Sequence, residues 1–285
     1  MSDYAKQSVE MYKQHSGVTK LRHAATPFVP DGSLTLADDD VEGELSKSAC
    51  AIIMKLLWLA RLSRPDLIKP ISDLATKVQC WTRNHDKMLY RLVCYVDSTP
   101  DYRLTGYIHD SPDQLKLKLY VDADFAGDRE HARSTSGSFL AVVGPNSFFP
   151  LQWASRKQTS VSRSTTESEV VSLAAGVYSE ALPALNMFDV LLGRFCELDI
   201  CEDNQATIRV VKNGFSNKLR HVSRTHKVNV GGLSELLEDP SIELSYIDTK
   251  EQAADIFTKA LSPQLWGPAL EMLGLHDGHL PPWPG

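Results

Sequence analysis

Four acidic residues offer the chemistry in this sequence, and each sits at the end or on the face of a different expected element. They are Asp122 in LKLKLYVDADFAG, Glu169 in SRSTTESEVVSLAA, Asp203 in LDICEDNQATI and Asp255 in KEQAADIFTKAL. Carboxylates drawn together repel one another and resist ionisation unless cations hold them. A chain that gathers them is usually building a divalent metal site for phosphate-ester chemistry. Oxygen ligands alone suit Mg²⁺, here two ions, with Mn²⁺ as a substitute. Each position has a bland reading as a helix cap or solvated charge. Two also have rivals, Asp124 for Asp122 and Glu167 for Glu169. Two residues along a helix lie about 200° apart, so only one glutamate can face a cleft, and periodicity does not choose which.

The elements that must position these acids begin near Leu115. Leu115, Leu117, Leu119 and Val121 alternate with Lys116, Lys118, Tyr120 and Asp122, the pattern of a half-buried strand ending at an acid. SGSFLAVVG and SFFPLQWAS follow as strands joined by a turn at Gly144-Pro145-Asn146. Ser164 with Glu167 and Thr166 with Glu169 form overlapping capping boxes for a helix to about Leu182, where Pro183 opens or kinks a second. LDICED predicts a strand, ATIRVVKNG a helix, Val228–Glu238 a weaker helix and SIELSYI a strand. Asp248 with Glu251 caps a last helix to about Leu261. The order β-β-β-α-α-β-α-α-β-α implies an α/β mixed sheet flanked by helices. In such folds neighbouring strand ends share a cleft.

Upstream, residues 1–47 read as an extended, acidic leader or linker. Residues 48–110 read as a small helical region, and 262–285 as a C-terminal tail, loose and Pro- and Gly-rich from His276 (HDGHLPPWPG). At 285 residues the chain can bury one large core or two small ones. The five cysteines are odd in number and lack zinc spacing, which implies reduced intracellular thiols. No apolar run approaches a membrane span, so no membrane partner is expected. A net charge of −6 means that any nucleic-acid binding rests on a local basic surface. Asn204–Ser234 holds no Asp or Glu but carries Arg209, Lys212, Lys218, Arg220, Arg224 and Lys227 with His221 and His226.

The motifs YVDADFAGD, STSGSF, LQWASRKQTSVSRSTTESE, CEDNQATI, SRTH and EQAADIFTKAL resemble, in order and spacing, the C-terminal ribonuclease H domain of copia-type retrotransposon polyproteins. The match covers about Leu115–Leu261. KLLWLARLSRPDL and WTRNHDKMLYRLVCYVDSTPDYRLTGY resemble the segment linking reverse transcriptase to that domain. The resemblance implies a ribonuclease H-like five-stranded mixed sheet over 115–261. It selects Asp122, Glu169, Asp203 and Asp255 as catalytic and metal-binding residues. It also implies Mg²⁺-dependent two-metal hydrolysis of the RNA strand of RNA–DNA hybrids, with the reverse transcriptase portion of the same polyprotein as partner. The setting would be intracellular: cytoplasm, a virus-like particle or the nucleus. By position Arg156, Lys157, Gln158, Asn204 and Gln205 are candidates for hybrid contacts, with Lys212, Arg220, Arg224 and His226 from the basic run.

Two departures stand out. Gly231-Gly232 replaces an aromatic and a histidine usual in the family, and no histidine lies between His226 and Asp255. Polymerase activity is disfavoured, because Ala123 and Ser98 follow Tyr120-Val121-Asp122 and Tyr95-Val96-Asp97 where a second Asp is required. An integrase or transposase would place its Glu last. The remaining alternative is a decayed or domesticated nucleic-acid-binding fragment.

Overall fold

A computed structural model describes residues 1–30, 32–128 and 131–278. They fall into two units, Met1–Leu104 with the segment from Ala260, and Thr105–Lys259. The first unit opens with helix α1 (Ser2–Ser16), followed by α2 (Ala49–Leu62), α3 (Ile68–Ala75) and α4 (Arg83–Ser98), then a short strand β1 (Arg103–Leu104). The start of the expected extended leader is therefore helical. Ala5, Val9 and Tyr12 recur at helical spacing and are buried, and Gly17 ends the helix in the left-handed region at φ 69°.

The second unit is built on strands β2 (Lys116–Asp124), β3 (Thr135–Gly144), β4 (Ser147–Lys157) and, after helices α5 (Thr165–Gly176) and α6 (Leu182–Leu192), β5 (Leu198–Glu202). Helices α7 (Gln205–Lys212), α8 (Val222–Thr225) and α9 (Val230–Leu236) precede the last strand of the sheet, β6 (Ile242–Tyr246). Strand order is β4-β3-β2-β5-β6. β3 runs antiparallel to both neighbours, while β2, β5 and β6 are mutually parallel. The parallel pairing of β2 with β5 brings the C-terminal ends of two acid-bearing strands side by side. Leu117, Leu119 and Val121 of β2, Leu198 and Ile200 of β5, and Val170 and Leu173 of α5 share one buried core. A single π-helical stretch, Val177–Ala181, joins α5 to α6. Pro183 lacks an N–H to donate into the turn before it, and the widened stretch absorbs that defect.

One expected element is not a helix. The segment after Asp248 forms two separate 3₁₀ turns, Thr249–Glu251 and Asp255–Phe257. Gln252 between them is extended (φ −77°, ψ 94°) and fully buried, and its Nε2 donates to the Val121 carbonyl at 2.9 Å. The extended backbone at Gln252 interrupts what would otherwise be a continuous helix.

The chain then rejoins the first unit through α10 (Pro263–Met272) and β7 (Leu275–His276), which pairs antiparallel with β1. Residues 263–276 of the expected tail are thus structured, and 279–285 lie outside the described residues. Trp266 anchors the return. Its Nε1 donates to the Tyr95 hydroxyl at 3.1 Å, and Tyr95 donates to Asp66 Oδ2 at 2.8 Å. Asp66 also accepts two bonds from the Arg64 guanidinium, whose remaining N–H groups reach Thr99. All five side chains are buried, so every donor and acceptor in this group depends on the others.

Candidate metal centre

The four sequence-selected acids meet at the C-terminal ends of β2 and β5. Asp122, Asp203 and Asp255 each offer an oxygen within 4.8 Å of the other two. Glu169 and Asp203 form a second such group with Glu202, a residue absent from the expected set. Asp203 belongs to both. With Asn204, Gln205, Thr165 and Lys259, three of these acids line an open cleft of about 650 Å³.

Each acid is placed by packing that the sequence encodes locally. Ser172 of α5 donates to the Asp122 carbonyl at 2.6 Å, so helix and strand are locked together next to the acid. Gly176 allows the same helix to press against β2, since a Cβ there would lie 2.8 Å from Val121 Cγ1. Asp255 projects from a 3₁₀ turn that rests on β3 at Gly137. A Cβ at Gly137 would meet Thr258 Cγ2 at 2.6 Å and the Ala254 carbonyl at 3.0 Å. Asp203 follows the last residue of β5 and accepts from the Thr249 hydroxyl at 2.8 Å.

The rival acids occupy different surroundings. Asp122 is 2% exposed, bonded to the Thr258 hydroxyl and 3.2 Å from Lys259 Nζ. Asp124 also lines the cleft but lies against the turn at Gly127. Glu169 joins the acidic groups, whereas Glu167 turns away from them. Glu167 accepts the Arg163 N–H at 3.0 Å and lies 3.1 Å from both His221 Nε2 and His226 Nε2. It ties the start of α5 to the basic segment. Its own N–H is capped by Ser164, as the capping box implied.

The electrostatics are those of a crowded acidic site. Burial, then Glu202, Asp122 and Asp203, push the Glu169 carboxyl up to about 10. Burial and the neighbouring Asp203 and Asp122 push Glu202 well above the carboxylate range, against one opposing N–H bond from Asn204. Burial and Asp122 push Asp255 up to about 6, even though Lys259 opposes them. Lys259 Nζ is 2.6 Å from Asp255 Oδ1. Burial disfavours its charge, but Asp122 and Asp255 outweigh that and hold it above the ordinary lysine value. This ammonium balances one end of the site. At the other end, Glu169 Oε2 and Glu202 Oε2 are buried without a hydrogen-bond partner among the described residues. Two orphaned carboxylate oxygens on a hard-oxygen donor set fit a divalent ion well.

The expected nucleic-acid contacts divide. Asn204 and Gln205 line the acidic cleft, with the Asn204 side-chain Oδ1 accepting the N–H groups of Ala206 and Thr207 as the cap of α7. Arg220 and Arg224 are exposed. Arg156 is exposed near Glu180, and Lys157 is paired with Asp128 at 2.7 Å. Lys212 lines a different depression, with Leu237 and Glu243. Two of the candidates have buried side chains. Gln158 is 5% exposed, and its amide is consumed by Ser136, Ser162 and the Ser168 carbonyl. The His226 ring is 1% exposed and lies 3.1 Å from Glu167.

The residue that sequence reasoning missed, Glu202, carried a signal. Leu198, Ile200 and Glu202 share one strand face, and an acid in a row of core positions is out of place.

No protein-family model matches the chain. The retrovirus-related Pol polyprotein from transposon RE1 of Arabidopsis thaliana is 27% identical over 239 residues, 83% of this chain but only 15% of that polyprotein. A Plasmopara viticola protein named secreted RxLR effector protein 161 is 34% identical over 118 residues, 41% of this chain and 78% of the relative. Among solved structures, LC11-RNase H1 from compost is 18% identical, covering 50% of this chain and 92% of its own, at a TM-score of 0.35. The similarity to copia-type retrotransposon Pol polyproteins extends beyond the sheet-bearing unit into the helical one, and the chain spans about one sixth of the length of these relatives.

Proposed function

We propose that the second unit is a ribonuclease H that hydrolyses the RNA strand of RNA–DNA hybrids with divalent metal, in the reverse transcription of a retrotransposon. One observation carries this reading: Asp122, Glu169 and Asp203 line one open cleft, Asp255 closes a three-acid group with Asp122 and Asp203, and the Glu169 Oε2 is buried without a partner among the described residues. Asp122, Asp203 and Asp255 would hold one ion, and Glu169 with Asp203 a second. When bound, such ions supply Lewis-acid charge to the phosphodiester and acidify the attacking water. Thr258 and Lys259 orient the Asp122 carboxylate, and Thr249 fixes Asp203, so both acids are set before substrate arrives. Gln205 is exposed at the cleft rim beside Asn204, in reach of the hybrid's sugar edge, where a 2′-hydroxyl distinguishes RNA from DNA. Arg220 and Arg224 supply exposed positive charge for phosphate. The reverse transcriptase portion of the polyprotein is the partner this reading implies.

The second reading is a nucleic-acid-binding fragment without turnover. Lys259 favours it, because its ammonium already neutralises Asp122 and Asp255. A labelled RNA–DNA hybrid incubated with the full chain and Mg²⁺ or Mn²⁺ separates the two. The expected result is metal-dependent cleavage that EDTA and Asp203→Asn each abolish. Cleavage that survives Asp203→Asn, or its absence from the unmodified chain, would overturn the enzymatic reading.

A further inference from the structure

Glu202 has no role in the four-acid site, yet it is fully buried and its side chain enters that site. It occupies the core-facing row of β5 after Leu198 and Ile200, where an apolar side chain would satisfy the fold. Its Oε1 accepts one bond, from the Asn204 N–H at 3.0 Å. Its Oε2 has no partner, and neither does Oε2 of Glu169, 3% exposed. The site's ammonium, on Lys259, contacts Asp122 and Asp255 instead. Two buried carboxyl groups with bare oxygens, within 4.8 Å of each other and of Asp203, carry a desolvation penalty that the single Asn204 N–H bond and the more distant Lys259 offset only in part.

We propose that Glu202 is a metal ligand, a fifth carboxylate that joins Glu169 and Asp203 in holding one divalent ion. This deepens the ribonuclease reading and rests on it for the identity of the site. The two ion positions then differ in chemistry. Asp122 and Asp255 face a lysine, and Asp122 and Asp203 line the cleft, a setting in which bound water and phosphate complete the shell. Glu169, Glu202 and Asp203 form a more buried, carboxylate-rich set. Mg²⁺ usually takes one or two carboxylates and retains several waters, so a buried three-carboxylate set favours Mn²⁺ relative to Mg²⁺.

The test is metal binding by the full chain, read by Mn²⁺ electron paramagnetic resonance and by thermal melting, with no substrate present. Glu202→Gln keeps the shape and removes the charge. It should weaken the tighter Mn²⁺ site about tenfold or more and narrow the preference for Mn²⁺ over Mg²⁺. In EDTA the same variant should melt higher than the parent, because folding no longer has to desolvate a carboxyl group left without a partner. Asp203→Asn serves as the reference and should lose both ions. If Asp203→Asn loses Mn²⁺ while Glu202→Gln binds as the parent does, the proposal is overturned and the four-acid reading stands. A Glu202→Gln variant that melts lower than the parent in EDTA also overturns it, since Glu202 would then be a structural hydrogen-bonding group. If the parent binds no Mn²⁺, the proposal and the metal-dependent reading fall together.

Discussion

Glu169 shows what a single residue's environment does to stability. Its folded carboxyl titrates at about 10 against an ordinary value of 4.5. Between those values the metal-free folded chain keeps a proton that the unfolded chain releases, so a rise in pH favours unfolding. The metal-free protein should therefore lose stability from about pH 5 to pH 8, on the order of 1 kcal/mol per pH unit for such a carboxyl. Thermal melts in EDTA across that range check it. Glu169→Gln should flatten the slope, and saturating Mn²⁺ should reverse it. A melting temperature that rises with pH in the parent would contradict the assignment. At this scale the sequence was legible where motifs were long, as at Asp122 and Asp203. It was silent on Glu202, which stands out by the way a strand residue faces, and on the burial of Gln158 and the His226 ring. Both of those are polar side chains next to functional motifs, spent on internal hydrogen bonds that only tertiary contacts reveal.

At the scale of elements, the alternating pattern of β2, the hairpin at Gly144–Asn146 and the cap at Ser164 were all readable, because each rests on local backbone preferences. The turn bearing Asp255 was not, since its geometry depends on Gln252 reaching a strand distant in sequence. That turn lies directly on Gly137, where no methyl group fits. Gly137→Ala should cost ~1–3 kcal/mol and displace Asp255, Thr258 and Lys259 together. The expected measurement is a lowered melting temperature with weakened Mn²⁺ binding in one variant. Unchanged Mn²⁺ affinity would show that the turn tolerates the shift. Helix α1 was missed for a different reason. The acidic, turn-rich composition downstream coloured the reading of a segment whose own spacing is helical.

For the whole molecule, the central fact is that the sheet-bearing unit is an insertion in the sequence of the helical one. Composition could not reveal this, because the segment after Lys259 resembles a Pro- and Gly-rich tail until Trp266 is seen against Tyr95. Asp66 is the hub of that group and the partner of a buried guanidinium. Asp66→Asn should destabilise the helical unit by ~3–5 kcal/mol, seen as a lowered calorimetric transition. Mn²⁺ binding, a property of the other unit, should remain at the parental level. Loss of Mn²⁺ binding in that variant would show that the site depends on the helical unit.

The return at Ala260 also has a consequence in time. During synthesis the Tyr95 hydroxyl leaves the ribosome long before Trp266, with the whole of Thr105–Lys259 made in between. At ~5–20 residues per second, that interval is roughly ten to thirty seconds. The nascent helical unit must pass it without its last helix, while the inserted sheet already has every strand it needs.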